Sequence, residues 1–231
     1  MTRPIEDEIL QQLHEVDAQR QLRLAEPGLE ARVQALKHYQ QRRFAHSYAD
    51  LLCSPRYEAA TTFFLRDLYG PGDFSRRDAQ FARVVPALVR LFPAEVVATV
   101  AKLAALHAIS ERLDTHMAQE LGTDHVLAAA YQAAWRTCGA PEQRQQQIDL
   151  TLAVGASLET LTRKPLLRQA LRMMRGPATA AGMSELQSFL ERGFDTFKAM
   201  NGAKEFLQTV REREEALAAA LFAGRALPQL P

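Results

Sequence analysis

The sequence predicts an all-α protein, a single globular multi-helix domain of about ten helices, and three observations carry that expectation. Apolar residues recur every three or four positions along almost the whole chain, the period of a helix with one buried face. No stretch alternates apolar and polar residues as a half-buried strand would. Proline and glycine fall mostly between the periodic segments, where they act as start and stop signals.

The first helix has Thr2 as its cap, Pro4 in its opening turn and an apolar stripe of Ile5, Ile9, Leu13 and Val16. It should end near Ala25, ahead of Pro27. A long second helix over 28–52 buries Leu29, Val33, Leu36, Phe44, Tyr48 and Leu51. Ser54 followed by Pro55 is the cap-then-proline order that opens a third, which stops at Gly70-Pro71-Gly72. The fourth starts at Asp73 or Ser75, lines up Phe81, Val84, Val85, Leu88 and Leu91, and should kink at Pro86, which has no N–H to donate. Pro93 and Glu95 open the fifth, which runs to Leu121. A short sixth, capped by Thr123 or Asp124, ends near Gly139. Pro141 begins a seventh that reaches Thr162, and an eighth follows Pro165 and stops at Gly176-Pro177. Residues 177–183 read as a linker. Ser184 and Gln187 have capping-box spacing for the ninth helix, and a last one covers about 203–223 after Asn201-Gly202. The expected unit is one domain over 1–231, with a division into a main body, 1–176, and a C-terminal helical pair or hairpin extension, 184–223, as the variant of that expectation.

Charge excludes several function classes. The chain has 28 Lys and Arg against 27 Asp and Glu, a formal net charge of +1, so nothing draws it globally to nucleic acid or to an anionic membrane. Its two cysteines, Cys53 and Cys138, are far apart and form no CxxC unit; both are expected as buried free thiols. The opening MTRPIEDEIL is too acidic for a signal peptide, and no run approaches the roughly 18 apolar residues of a membrane span. Cytoplasmic residence is the expectation.

The familiar catalytic templates fail one by one. There is no Glu-x-x-His pair for a di-iron bundle and no HExxH for a zincin. There is no GxxxxGK[ST] loop, no GxGxxG and no GxSxG elbow. No metal site and no cofactor is expected. The favoured reading is therefore a non-enzymatic helical binding or scaffold protein, whose partner is another protein or a second copy of itself.

Two constellations support alternatives. His107, Glu111 and Asp114 fall at i, i+4 and i+7, on one helical face beside Leu103, Leu106, Leu113 and Met117. A histidine buried between carboxylates is an acid–base group or a ligand-binding group, so this cluster is the candidate site of an enzyme or of a ligand- or cofactor-binding protein. Left at a helix boundary, the same residues would be ordinary solvated pairs. Lys164, Arg168, Arg172 and Arg175 share a face of the eighth helix, and Arg76, Arg83 and Arg90 recur every seven residues on the fourth. Such stripes suit an anion or a nucleic acid, or else pair with neighbouring acids on a solvated face. Tyr131, Trp135, Phe189, Phe194, Phe197 and Phe206 read as core.

Residues 63–78, FFLRDLYGPGDFSRRD, are the most distinctive text in the chain. They resemble an FFLxDLYGPxDFxxRD segment of a family of uncharacterised bacterial all-helical proteins. The resemblance implies a bacterial helical protein and assigns no activity, cofactor or catalytic residue. Read by their chemistry, the residues make an interhelical corner, in which Gly70 and Gly72 permit the reversal and Asp73 and Asp78 suit the start of the next helix. Arg66, Arg76 and Arg77 pair there with Asp67, Asp73 and Asp78. As a recognition loop, Arg76 and Arg77 would take a carboxylate or phosphate.

Overall fold

The computed structural model describes residues 3–68, 70, 72 and 74–225. Thr2, Tyr69, Pro71 and Asp73, to which the sequence reading gave capping and corner roles, lie outside that set. In chain order the helices are α1 (Arg3–Ala25), α2 (Leu29–Ser47), α3 (Ala49–Leu52) and α4 (Glu58–Phe63), then a π-helical turn (Phe64–Leu68). There follow α5 (Ser75–Leu91), α6 (Ala94–Leu121), α7 (Ala128–Cys138), α8 (Pro141–Thr162), α9 (Pro165–Met173), α10 (Arg175–Ala180), α11 (Ser184–Ala199) and α12 (Lys204–Phe222). Among the described residues there is no strand, and no helix is long and apolar enough to cross a membrane.

α6 is the axis of the molecule. α1, α2, α7 and α8 all pack against its 28 residues. Small residues make this possible: Ala101, Ala104, Ala108 and Ala118 are buried and let neighbouring backbones approach. Gly122, in the left-handed region at φ 62°, ends the helix where a side chain would be strained. The expected stripes of α1 and α2 are buried, with Ile9, Leu13 and Val16 on one and Leu29, Val33, Leu36 and Phe44 on the other.

The C-terminal helices complete this core. α11 lies on α4, α5, α8 and α9, while α12 lies on α7 and α8. Leu217 and Leu221 of α12 join Leu29, Tyr39 and Trp135 in one apolar cluster, and Phe197 and Phe206 join Phe44, Tyr48 and Phe64 in another. Burying such aromatics contributes about 1.5–3 kcal/mol each, so residues 184–222 share the stability of the rest.

Several local expectations are corrected. The second helix breaks at Tyr48, and α3 is a separate turn. Ser54 and Pro55 sit in a turn ahead of α4, because the Ser54 carbonyl accepts from the Tyr57 and Glu58 N–H groups and holds the chain there. α7 starts only at Ala128; Thr123 Oγ1 instead accepts from the His125 N–H at 3.1 Å. Gly176-Pro177 does not stop the chain: α10 passes through both, with Pro177 in its first turn, where a missing N–H costs nothing. Ser184 makes no cap, and the Gln187 amide turns away to donate to the Leu171 carbonyl at 2.6 Å. Cys53 is exposed rather than buried.

Candidate functional site

His107, Glu111 and Asp114 come together inside the molecule, on the face of α6 turned toward α1, α2 and α5. Glu111 and Asp114 are buried, and His107 is half-buried. Each meets a residue from another helix. Arg23 of α1 donates from Nη1 to Glu111 Oε2 at 2.7 Å, from Nη2 to the Glu111 carbonyl at 2.7 Å and from Nε to Thr115 Oγ1 at 2.8 Å. Lys37 of α2 donates to Glu111 Oε1 at 2.6 Å. His107 Nε2 lies 2.8 Å from Asp78 Oδ2 on α5, an oxygen that Arg20 also contacts. Asp114 Oδ1 accepts from Gln40 Nε2 at 2.9 Å.

These partners were missed by sequence reasoning, yet a signal existed. Arg20 and Arg23 continue the three- and four-residue rhythm of Ile9, Leu13 and Val16. Lys37 and Gln40 sit between Val33 and Phe44 at the same rhythm, and Asp78 precedes Phe81 and Val85. A charge at a stripe position enters the core with the stripe, and there it must find an opposite charge.

The electrostatics follow from this pairing. Burial by itself would raise Asp78, but His107, Arg77 and Arg20 override it and hold the carboxyl down to about 2. Burial would likewise raise Glu111, and Lys37, His107 and Arg23 hold it to about 2. Asp114 shows the opposite balance: its burial outweighs the attraction of Lys37 and lifts its carboxyl above the usual range. Asp78 and Glu111 thus stay ionised, fully engaged by cations, and are poor proton acceptors near neutral pH. Among the described residues, no group of three or more His, Cys, Asp or Glu side chains is placed to hold a metal ion.

Two cavities flank this network and share a wall made by Gln40, Ser110 and Asp114. One, of about 90 Å³, lies beside His107, Asp78 and Arg77 and is closed by Phe74, Phe81 and Phe189. Arg77 is sandwiched there, 4.1 Å from the Phe74 ring centre and 4.6 Å from that of Phe189, and donates to the Asp67 carbonyl at 2.9 Å. The other, also of about 90 Å³, lies beside Arg43, Tyr131, Trp135 and Arg144, with Phe44, Phe64, Leu65, Val210 and Leu217 as its apolar wall.

The second cavity is unusual in what its polar groups lack. Arg23, Lys37 and Arg43 are buried cations, and each has a carboxylate partner. Arg144 is 4% exposed, and among the described residues no carboxylate lies within 4.0 Å of it. Its guanidinium stacks 4.0 Å from the Trp135 ring centre and donates to Gln147 Oε1 at 3.1 Å and to the Met117 sulfur at 2.9 Å. The Tyr131 hydroxyl, Trp135 Nε1 and Arg43 Nε are buried without a hydrogen-bond partner among the described residues. The position of Arg144 one turn before Ile148 on α8 is again a stripe position, readable in the sequence only as a misplaced charge.

The family model for a domain of unknown function, DUF8198, matches residues 19–228. The chain belongs to the DUF8198 family. The match takes in Arg23, Lys37, Asp78, His107, Glu111, Asp114 and Arg144 alike. No curated protein and no solved structure matches the chain.

In this DUF8198 chain the basic candidates are mostly engaged by acids. Arg76 is exposed and 3.2 Å from Glu185. Lys164 pairs with Glu95. Arg168 lies 2.6 Å from Asp195 and 3.5 Å from Glu191, and Arg175 donates from Nε to Glu191 at 2.7 Å. Arg172 is exposed. Of these six, Arg77 lines one of the two cavities described above.

Proposed function

We propose that this DUF8198 domain is a non-catalytic binding protein whose small polar ligand sits inside the helical body, in the cavities on either side of Gln40, Ser110 and Asp114. The observation that carries the reading is the set of buried donors around the second cavity that no atom of the described residues satisfies. Leaving a buried donor unpaired costs roughly 1–3 kcal/mol. Several such groups around one cavity therefore favour a ligand that completes them. Binding is favoured over catalysis because the ionised carboxylates nearest His107 are already engaged by cations. Exposed, unpaired Cys53 accords with a reducing bacterial cytoplasm.

A panel of small acids, amides, alcohols and amines screened by thermal unfolding tests this, together with native mass spectrometry of the purified chain. At least one compound should raise Tm saturably, since a ligand at a hundred times its Kd adds about 2.7 kcal/mol. A panel without a single shift, and a chain that flies at its bare mass, would overturn the reading. The same spectrum reports a second reading, a scaffold that binds a protein or itself. Exposed Leu91, Leu166 and Met173 support that one, and a dimer mass would be its sign.

A further inference from the structure

We infer that the cavity beside Arg144 takes a small monocarboxylate with a short apolar tail, the carboxylate resting on the Arg144 guanidinium, the Tyr131 hydroxyl and the Trp135 indole N–H. The inference rests on the reading of the interior as a ligand site and names the ligand's chemistry.

Every group left without a partner at this cavity can donate. An indole N–H and a guanidinium are donors only, and a neutral tyrosine hydroxyl offers one proton. Burial pushes the Tyr131 hydroxyl above its ordinary value, so that proton stays on. The acceptors nearby each already take a hydrogen bond from the protein. Asp114 accepts from Gln40, Gln147 Oε1 accepts from Arg144, and Ser110 accepts from Gln147. Glu214 Oε1 accepts from both Arg43 and Tyr48. A ligand that satisfies this cavity must bring acceptor atoms.

Charge makes the same demand. Arg144 is fixed between the Trp135 face and a thioether, which is a weak acceptor, and among the described residues it has no carboxylate within 4.0 Å; the nearest buried acid on the wall, Asp114, is lifted by its own burial and bonded to Gln40. A carboxylate would supply both the charge and a planar pair of oxygens for the guanidinium. One unmatched cation suits a monoanion: Arg43, the other guanidinium at the cavity, is held by Glu214 at 2.5 Å, which leaves nothing to balance a phosphate dianion. Size and lining set the rest. A cavity of about 150 Å³ holds a benzene, so this one, of about 90 Å³, suits a chain of a few carbons against Phe44, Phe64 and Leu65.

The test measures thermal shift and calorimetric binding of butyrate, its neutral isostere butyramide, and inorganic phosphate to the full chain. Butyrate should bind saturably, with butyramide and phosphate at least about tenfold weaker, because hydrogen bonds to an ionised acceptor are the strong ones. Arg144→Met should abolish butyrate binding, and Trp135→Phe, which keeps the ring and removes the N–H, should weaken it while leaving the fold intact if Arg144→Met fails to fold. Butyramide binding as well as butyrate, or butyrate affinity unchanged in both variants, would overturn the carboxylate inference and leave the cavity a ligand site. Failure of butyrate alongside success of another panel compound does the same. Failure of every compound removes both.

Discussion

Glu111 shows how much a single buried side chain can hold. Its two oxygens face Arg23 and Lys37, both buried with it. Changing it to glutamine would keep the shape and leave two cations in the interior with no counter-ion. Removing one partner of a buried pair typically costs about 3–5 kcal/mol. Glu111→Gln should therefore lose about that much in urea unfolding, whereas Glu185→Gln, which breaks an exposed pair with Arg76, should stay within about 1 kcal/mol of the parent. Equal effects of the two would contradict the structure. At this scale the sequence was half legible. The spacing of His107, Glu111 and Asp114 placed them on one face, and that face is at a seam. Their partners depend on which helices meet, which no local pattern states; the charges at stripe positions 20, 23, 37 and 78 were the readable trace.

Helices were legible where proline and glycine act at an end and less so where they lie within. α8 begins at Pro141 and ends at Thr162, and α6 ends against Gly122. Pro177 was misread as a stop because the first turn of a helix tolerates it. The stretch before Gly70 hides its structure for another reason: Phe63, Phe64 and Leu65 are all buried, so no single apolar stripe marks the winding, and the chain passes from α4 into a π turn there. Gly70 closes that corner by close approach. A Cβ there would lie 2.4 Å from the Arg66 carbonyl oxygen, a backbone atom that cannot swing aside. Gly70→Ala should cost about 1–3 kcal/mol in thermal or urea unfolding, as overpacking does. A variant as stable as the parent would mean that the corner is looser than drawn.

Acid exposes the molecule as a whole, since two of its interhelical ties depend on ionised carboxyls. Asp78 and Glu111 are held to about 2 in the folded chain, below the ordinary carboxylate range. A depressed group stabilises the fold above its unfolded pKa and loses that contribution as pH falls toward its folded one. Stability should thus decline from about pH 4 to about pH 2, by at most about 2–3 kcal/mol for each of the two carboxyls. Asp114, raised by burial, acts in the opposite sense: its contribution is present below its unfolded pKa and lost as pH rises through the folded one. Urea midpoints measured between pH 6 and pH 2.5 should show the net loss, and Asp78→Asn should flatten part of it. A profile level throughout that range would contradict the network. None of this was visible in a net charge of +1, which averages over a balanced surface and an interior where, among the described residues, Arg144 has no carboxylate within 4.0 Å.

The π turn at Phe64–Leu68 has a bearing on how this chain tolerates changes of length. A π turn winds more residues into each turn than an α-helix does, so it stores a surplus residue inside regular structure rather than in a loop. Deleting one residue there would let α4 continue as an ordinary helix and rotate everything after it by roughly 100°, the angle one residue subtends at 3.6 per turn. Phe64 or Leu65 would then leave the wall of the cavity that both now line. Relatives one residue shorter between Phe63 and Gly70 would be a natural experiment, keeping the helices and reshaping the chamber they enclose.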